Sequence, residues 1–217
     1  MLNQFVDQIY CINLERRTDR KEIFLKKLTE EAETSTDNLT FIKAIDGATI
    51  PKEDMAEEFH AGWPHYTKGA WGCAVSHINA VKDAKEKGYK KILIFEDDVT
   101  FINDFKTNYK LFYDNLPGEW DTLWLGANFV SRPRVLNDYV GYAHSYAAHA
   151  YMLTEKTFDM IAEWAINAPI DIFYCNSLQN EFRGTTYHAL PRICGQFKGY
   201  SDTEDRETNH EAVLGSI

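Results

Sequence analysis

The sequence predicts a single α/β domain built on a mostly parallel central sheet flanked by helices. Short runs rich in strand formers alternate along the chain with longer amphipathic stretches, the pattern of strand–helix units. The run 91–95 (KILIF) is continuously apolar and bounded by charge, as in a strand covered on both faces. No internal repeat and no Pro/Gly/Ser-rich linker divides the 217 residues, a length that one core can fill. Apolar residues make up 44% and aromatic residues 14% of the chain, which excludes a disordered or fibrous protein. The domain is expected over 1–200, with 201–217 as an acidic, mobile tail.

Residues 8–13 (QIYCIN) read as the first strand, and Asp19 stands at the start of a mixed-charge amphipathic helix running from 20 to about 33. A second strand is expected at 39–44, ending at the turn pair Asp46-Gly47. Across 67–87, Trp71, Ala74, Val75, Ile78, Val81 and Ala84 recur at helical spacing as one apolar face, and Gly88 follows where a C-terminal cap belongs. The strand at 91–95 runs directly into Glu96-Asp97-Asp98. A helix at 104–115, strands at 121–125 and 148–153, and a helix at 155–168 capped by Thr154 and ended by Pro169 complete the alternation. The segment 127–146, rich in Tyr, Asn, Arg and His, reads as a loop, either ordinary surface or acceptor-facing.

Acidic residues outnumber basic ones by 33 to 23, for a net charge of -10, so a protein that tracks along nucleic acid is not expected. The excess lies in 29–37, 52–58 and 201–217 and leaves the rest of the chain close to neutral, so a local diphosphate site remains compatible. The first residues carry no signal-peptide pattern, and the longest uncharged stretch, 139–154, is too short and too polar to span a bilayer. Four dispersed cysteines, Cys11, Cys73, Cys175 and Cys194, suit reduced thiols and a cytoplasmic location better than a disulfide or zinc framework.

Three adjacent carboxylates at the end of a buried strand repel one another, and a divalent metal is the simplest compensation; hard oxygen ligands suit Mg or Mn. The competing reading is a solvated acidic turn capping a helix that starts at Val99. The segment 13–20 (NLERRTDR) joins the first strand to the first helix, where backbone N–H groups and arginines can meet a phosphate, or where Asp19 merely caps a helix. Gly72-Cys73-Ala74-Val75-Ser76-His77 lies inside the 67–87 helix, where a histidine is more often structural than catalytic. No G-x-G-x-x-G, Walker A, G-x-S-x-G or H-E-x-x-H pattern occurs.

In their order these blocks resemble glycosyltransferase family 25, the lipopolysaccharide and procollagen galactosyltransferase family. The matching blocks are I-N-L-x-x-R-x-D-R (12–20), A-I-D-G (44–47), G-C-x-x-S-H (72–77), the strand ending in E-D-D (93–98), W-D-x-x-x-L-G (120–126), H-A-Y-x-L (149–153), P-x-D (169–171) and a late Gln196 before Ser201-Asp202. The resemblance implies a single-domain type A glycosyltransferase fold, a divalent metal (Mn or Mg) and a UDP-sugar donor, UDP-galactose or UDP-glucose, with inversion at the anomeric carbon. It assigns Glu96 and Asp98 to the metal, with Asp97 as a near neighbour on the donor. Asn13, Leu14, Arg17 and Arg20 fall on the uridine side, with Asp46 and His77 nearby. Asp171, in the P-x-D block, is the candidate general base, its competing role being a helix cap; His149 and Asp121 are the alternates. The acceptor is left open among a glycan, a hydroxylated side chain and a modified nucleotide.

Two positions depart from the family pattern: Ala70 stands where an acidic residue is usual, and Thr203 follows Ser201-Asp202 where an aliphatic residue is common. A nucleotidyltransferase using the same acidic turn, and a nucleotide-sugar binding module without turnover, are the alternative functions.

Overall fold

The structure, a computed structural model, describes residues 1–51, 55, 59, 67–203 and 206–208. The chain runs through β1 (Gln8–Asn13), α1 (Thr18–Glu30) and β2 (Leu39–Lys43) to a long helix, α2 (Lys68–Glu86). Then come β3 (Lys91–Glu96), β4 (Val99–Phe101), α3 (Phe105–Asp114) and β5 (Thr122–Trp124). The segment expected as a loop at 127–146 carries four short strands, β6 (Asn128–Phe129), β7 (Arg134–Val135), β8 (Val140–Tyr142) and β9 (Ser145–Tyr146). After β10 (Ala150–Thr154) and α4 (Phe158–Ala162), helix α5 (Ile170–Phe173) continues through a π-helical stretch, Tyr174–Leu178, into Gln179–Glu181. β11 (Thr186–Ala189), β12 (Cys194–Gln196), β13 (Gly199–Ser201) and β14 (Arg206–Thr208) follow.

Among the described residues the main sheet has eight strands in the order β2-β1-β3-β10-β5-β11-β8-β7. β1 pairs in parallel with β2 and β3, and β11 with β5, whereas β10 runs antiparallel between β3 and β5, and β8 is antiparallel to both β11 and β7. The α/β fold is therefore the expected one, but its sheet is mixed rather than mostly parallel. Strand direction leaves no local trace: β10 is buried at all five positions, and such a run reads the same in either orientation.

Side chains alternate across the sheet. On one face Cys11, Leu93, Phe95 and Met152 pack against Phe24 and Leu28 of α1 and Phe105, Tyr109 and Phe112 of α3. On the other, Tyr10, Ile94, Tyr151 and Trp124 pack against Ala74, Ile78 and Val81 of α2, Phe158 and Ile161 of α4, and Ile170, Phe173 and Tyr174. Each large side chain so buried contributes about 1.5–3 kcal/mol.

α2 matches its predicted span. Thr67 caps it, its Oγ1 accepting from Ala70 N at 3.3 Å, and Gly88, at φ 71°, takes the left-handed turn that ends it. Its buried face differs from the expected one: Ser76 and His77 are fully buried, while Trp71 and Val75 are only partly so. The helix expected over 155–168 stops at Ala162, and the Trp164 ring stacks on Phe173 with centroids 4.1 Å apart. Thr154 takes the cap position before the 3₁₀ turn Glu155–Thr157 that leads into it, but its hydroxyl makes no capping bond and donates to Asp121 at 2.8 Å instead. Val99 starts a strand, so the acidic turn caps no helix there.

Candidate active site

The carboxyl ends of β1, β2 and β3 lie side by side, because parallel pairing sets Ile12 against Glu96 and Ile42. A cleft of about 720 Å³ opens beyond them, within the size range of ligand sites. Glu96, Asp97, Asp98, Arg20, Leu14, Asp46, Cys73, Asp171, Gln196 and Asp202 all line it.

The acidic turn alternates. Asp97 turns toward α1, where Asn13 Nδ2 donates to one of its oxygens at 2.7 Å and Arg20 Nη1 to the other at 2.8 Å. Burial outweighs these partners, and its carboxyl stands above the ordinary value. Glu96 and Asp98 face the cleft and converge on Gln196, whose Nε2 lies 3.2 Å from an oxygen of each. β12 brings Gln196 there by pairing it with Val99 of β4. Burial and the charge of Glu96 push the Asp98 carboxyl up to about 7, against the pull of Arg20 at 3.2 Å.

Glu96 is raised by burial and lowered by its hydrogen bond to His77, and the lowering prevails. His77 Nε2 lies 3.2 Å from Glu96 Oε1, and its Nδ1 is 2.7 Å from Tyr151 OH, which meets Tyr174 OH at 2.8 Å. His77 is thus wholly interior and reaches the cleft only through Glu96. Cys73, one helical turn earlier, puts Sγ 3.8 Å from the same Glu96 oxygen.

Asp46 lies in the cleft wall, capping the short 3₁₀ turn that follows and paired with Arg16 at 2.7 Å. Its loop is docked onto α2: Ile45 N donates to Ser76 Oγ at 2.8 Å, and a Cβ at Gly72 would meet the Ile45 carbonyl oxygen at 2.5 Å. Glycine at 72 is what permits that approach.

The remaining candidates separate. Arg20 lines the cleft with its guanidinium engaged by Asp97, Asp98 and the Tyr200 carbonyl oxygen. Arg17 holds Asp19 and Asp202. Asp171 sits in the first turn of α5 with Pro169 as the cap residue, so it is not the cap. Its own Oδ1 accepts from Ile172 N at 2.9 Å, and burial, with the charge of Glu96, raises its pKa. His149 is 2% exposed and packs where a Cβ on Gly126 would strike its ring; it is not among the residues lining the cleft. Asp121 is buried at the start of β5, held by Thr154, away from the cleft.

The expected tail boundary at 200 falls inside a hairpin. β13 and β14 pair, and Ser201, Asp202, Thr203, Arg206 and Thr208 line the cleft. Asp202 takes Arg16 at 2.7 Å and Arg17 at 2.8 Å, and Thr67 Oγ1 donates to the Thr203 carbonyl. The acidic segment 52–58 lies largely outside the described residues, as does 209–217. Sequence reasoning gave no role to Cys73, Ser76 or Gln196. The i, i+4 spacing of Cys73 and His77 was the available trace for the first; Gln196 stood out only as one of the matching blocks, and nothing local showed its role because its partners are about 100 residues away in the chain.

A family model described as Glycosyltransferase family 25 (LPS biosynthesis protein) matches residues 6–171, most of the chain. The chain belongs to glycosyltransferase family 25. The family-25 match ends at Asp171, so Gln196 and the hairpin that closes the cleft lie beyond it. Human procollagen galactosyltransferase 2 is 28% identical over 132 residues, covering 55% of this chain and 20% of that protein. The procollagen lysyl hydroxylase and glycosyltransferase of Acanthamoeba polyphaga mimivirus is 29% identical over 167 residues, 69% of this chain and 18% of that protein. Human inactive glycosyltransferase 25 family member 3 is 28% identical over 137 residues, 58% of this chain and 22% of that protein. The chain thus spans only about a fifth of the length of these relatives. The crystal structure of a glycosyltransferase involved in glycosylation of the major capsid of PBCV-1 superposes with a TM-score of 0.52 over 91% of this chain and 95% of that one, at 11% identity, a likeness of fold.

Proposed function

We propose that this domain is a metal-dependent, inverting glycosyltransferase that moves a hexose, galactose or glucose, from a UDP-sugar to an acceptor hydroxyl. The observation that carries the reading is the convergence of Glu96 and Asp98 on one point of the cleft, with Asp171 also lining it. The site fits a hard divalent cation: two carboxylates converge there, tied together by the Gln196 amide that donates to both, and burial with the charge of Glu96 holds the Asp98 proton to about 7, a cost that a cation would relieve. Mn or Mg held by Glu96 and Asp98 would neutralise the charge that develops on the leaving diphosphate.

The chain's own groups do the rest. Arg20 and Asn13 fix Asp97 and so aim the turn. Leu14, Arg20 and Asp46, all in the cleft wall, fall on the side assigned to the nucleoside, together with Asn13 and Arg17 of the same first loop. Asp171 is assigned the proton of the acceptor hydroxyl as it attacks the anomeric carbon; its raised pKa strengthens it as a base, and in-line attack requires one facing the donor. The acceptor class, a glycan, a hydroxylated side chain or a modified nucleotide, is read from chemistry alone. A cytoplasmic location is proposed from the four cysteines, all free thiols; among the described residues no helix is long and apolar enough to cross a membrane.

Ala70 supports a second reading, a nucleotide-sugar binding module without turnover: it lines the cleft at the position where an acidic residue is usual. Incubation with Mn and individual UDP-sugars separates the possibilities. UDP release with free or transferred sugar supports glycosyl transfer, pyrophosphate release supports nucleotidyl transfer, and donor binding without either product supports the binding module.

A further inference from the structure

We propose that Cys73, His77 and Glu96 form a second cation site, for a borderline-soft divalent ion, zinc above all, beside the hard-cation position assigned to Glu96 and Asp98. The three offer one sulfur, one nitrogen and one oxygen, all within 4.8 Å of one another. Tetrahedral zinc, with Zn–S about 2.3 Å and Zn–N or Zn–O about 2.0–2.1 Å, sets ligand–ligand edges of roughly 3.3–3.6 Å. The N–O separation here is 3.2 Å and the S–O separation 3.8 Å, so small side-chain rotations complete the triangle.

The backbone already holds the ligands in place. Cys73 and His77 are four residues apart on α2, a spacing that presents both to one side of the helix. Glu96 closes the set from the end of β3. His77 has the outer support that metal-bound imidazoles use: its Nδ1 lies 2.7 Å from Tyr151 OH, which meets Tyr174 OH at 2.8 Å, so in the cation-bound form Nδ1–H would donate to Tyr151 and Nε2, which otherwise bonds Glu96, would turn its lone pair to the ion. The π-helical stretch 174–178 contains that Tyr174, and such bulges recur at functional sites. Cys73 and Glu96 line the cleft, which gives an ion a way in and leaves a fourth position for water or a ligand.

Thiolate and imidazole separate this site from its neighbour, since Mg prefers all-oxygen ligands and zinc outranks Mn at sites of this kind. Glu96 belongs to both. If the donor cation sits as proposed above, zinc in the inner site withdraws Glu96 from it, and zinc should inhibit transfer.

The test is a cobalt(II) titration of the reduced, metal-free full chain, which needs no donor and no turnover. A near-ultraviolet thiolate-to-cobalt charge-transfer band, saturating at one equivalent and erased by added zinc, is the expected result. Cys73→Ser, a near-isosteric change at a half-buried position, should abolish the band with the circular dichroism spectrum unchanged, and His77→Gln should weaken cobalt binding at least about tenfold. A band that survives in Cys73→Ser, or no band in the wild type, overturns the site. The charge-transfer band reports the thiolate ligand alone and is read without donor or turnover, so failure of the zinc site and failure of the proposed transferase activity are seen in separate measurements.

Discussion

Asp97 and Asp98 are neighbours in the chain and yet belong to different environments. On the α1 side, Asp97 is closed in by Asn13 and Arg20, each of its oxygens having its own donor at 2.8 Å or less. Toward β12, Asp98 shares Gln196 with Glu96, takes one longer bond from Arg20, and opens into the cleft. A strand end sends successive side chains to opposite sides, and one acidic triplet thereby supplies both a strut and the pair of carboxylates proposed to hold the cation. The lesson is that three like charges in sequence are not three equivalent groups: the one held by two short bonds from α1 and β1 fixes the turn, and the two that share the longer bonds of Gln196 face the cleft, where a cation is proposed.

The contrast can be broken from either side. The largest effect is expected across the cleft from the turn, where Asp171→Asn should keep donor binding while transfer falls about 10²–10⁴-fold, the usual worth of a general base. Unchanged transfer rates, with donor affinity measured in parallel, would remove Asp171 from that role. On the strut side, Asp97→Ala removes the shorter of the two carboxylate partners of Arg20 and the acceptor of Asn13, and should cost about 1.5–3 kcal/mol in urea unfolding, the usual worth of hydrogen bonds to a charged group. A loss below about 1 kcal/mol would make Asp97 dispensable.

A smaller effect concerns pH. The folded chain holds the Asp98 proton to about 7, whereas the unfolded chain releases it near 3.8, so unfolding releases a proton between those values. Stability of the metal-free protein should therefore fall as pH rises through that window. Asp98→Asn should flatten the decline and Mn should offset it, both readable as thermal midpoints across pH. A metal-free protein whose midpoint rises from pH 4 to 7 identically in both forms would contradict the assignment. The smallest effect is expected at the hairpin clasp. Arg16→Ala, which removes a half-exposed partner of Asp46 and Asp202, should change stability by no more than about 1 kcal/mol by calorimetry.

Much of this was legible in the chain. The apolar run of β3 and the helical period of α2 gave their spans because each pattern is long and local. The acidic turn was placed at a strand end for the same reason. The short strands β6 to β9 were not, since two or three residues carry no period. Nor was the shortness of the helix after Thr154: its residues suit a helix, but Trp164 is held by stacking on Phe173, a contact set by packing rather than by local sequence. Within the site, the residues read correctly as neighbours are those whose strands run side by side. Gln196, Cys73 and Asp202 reach the same cleft from distant segments. His149 went the other way, a plausible base in sequence that the fold buries beneath Gly126.

The central claim is that Asp98 holds the donor's cation while Asp97 holds the turn. Manganese binding followed by electron paramagnetic resonance, in the wild type and in Asp98→Ala, tests it most directly. The account predicts that the wild type takes up Mn in the presence of UDP and that Asp98→Ala, equally folded by circular dichroism, loses that uptake by at least about tenfold together with Mn-dependent UDP release. Wild-type Mn affinity and full UDP release in Asp98→Ala would contradict it.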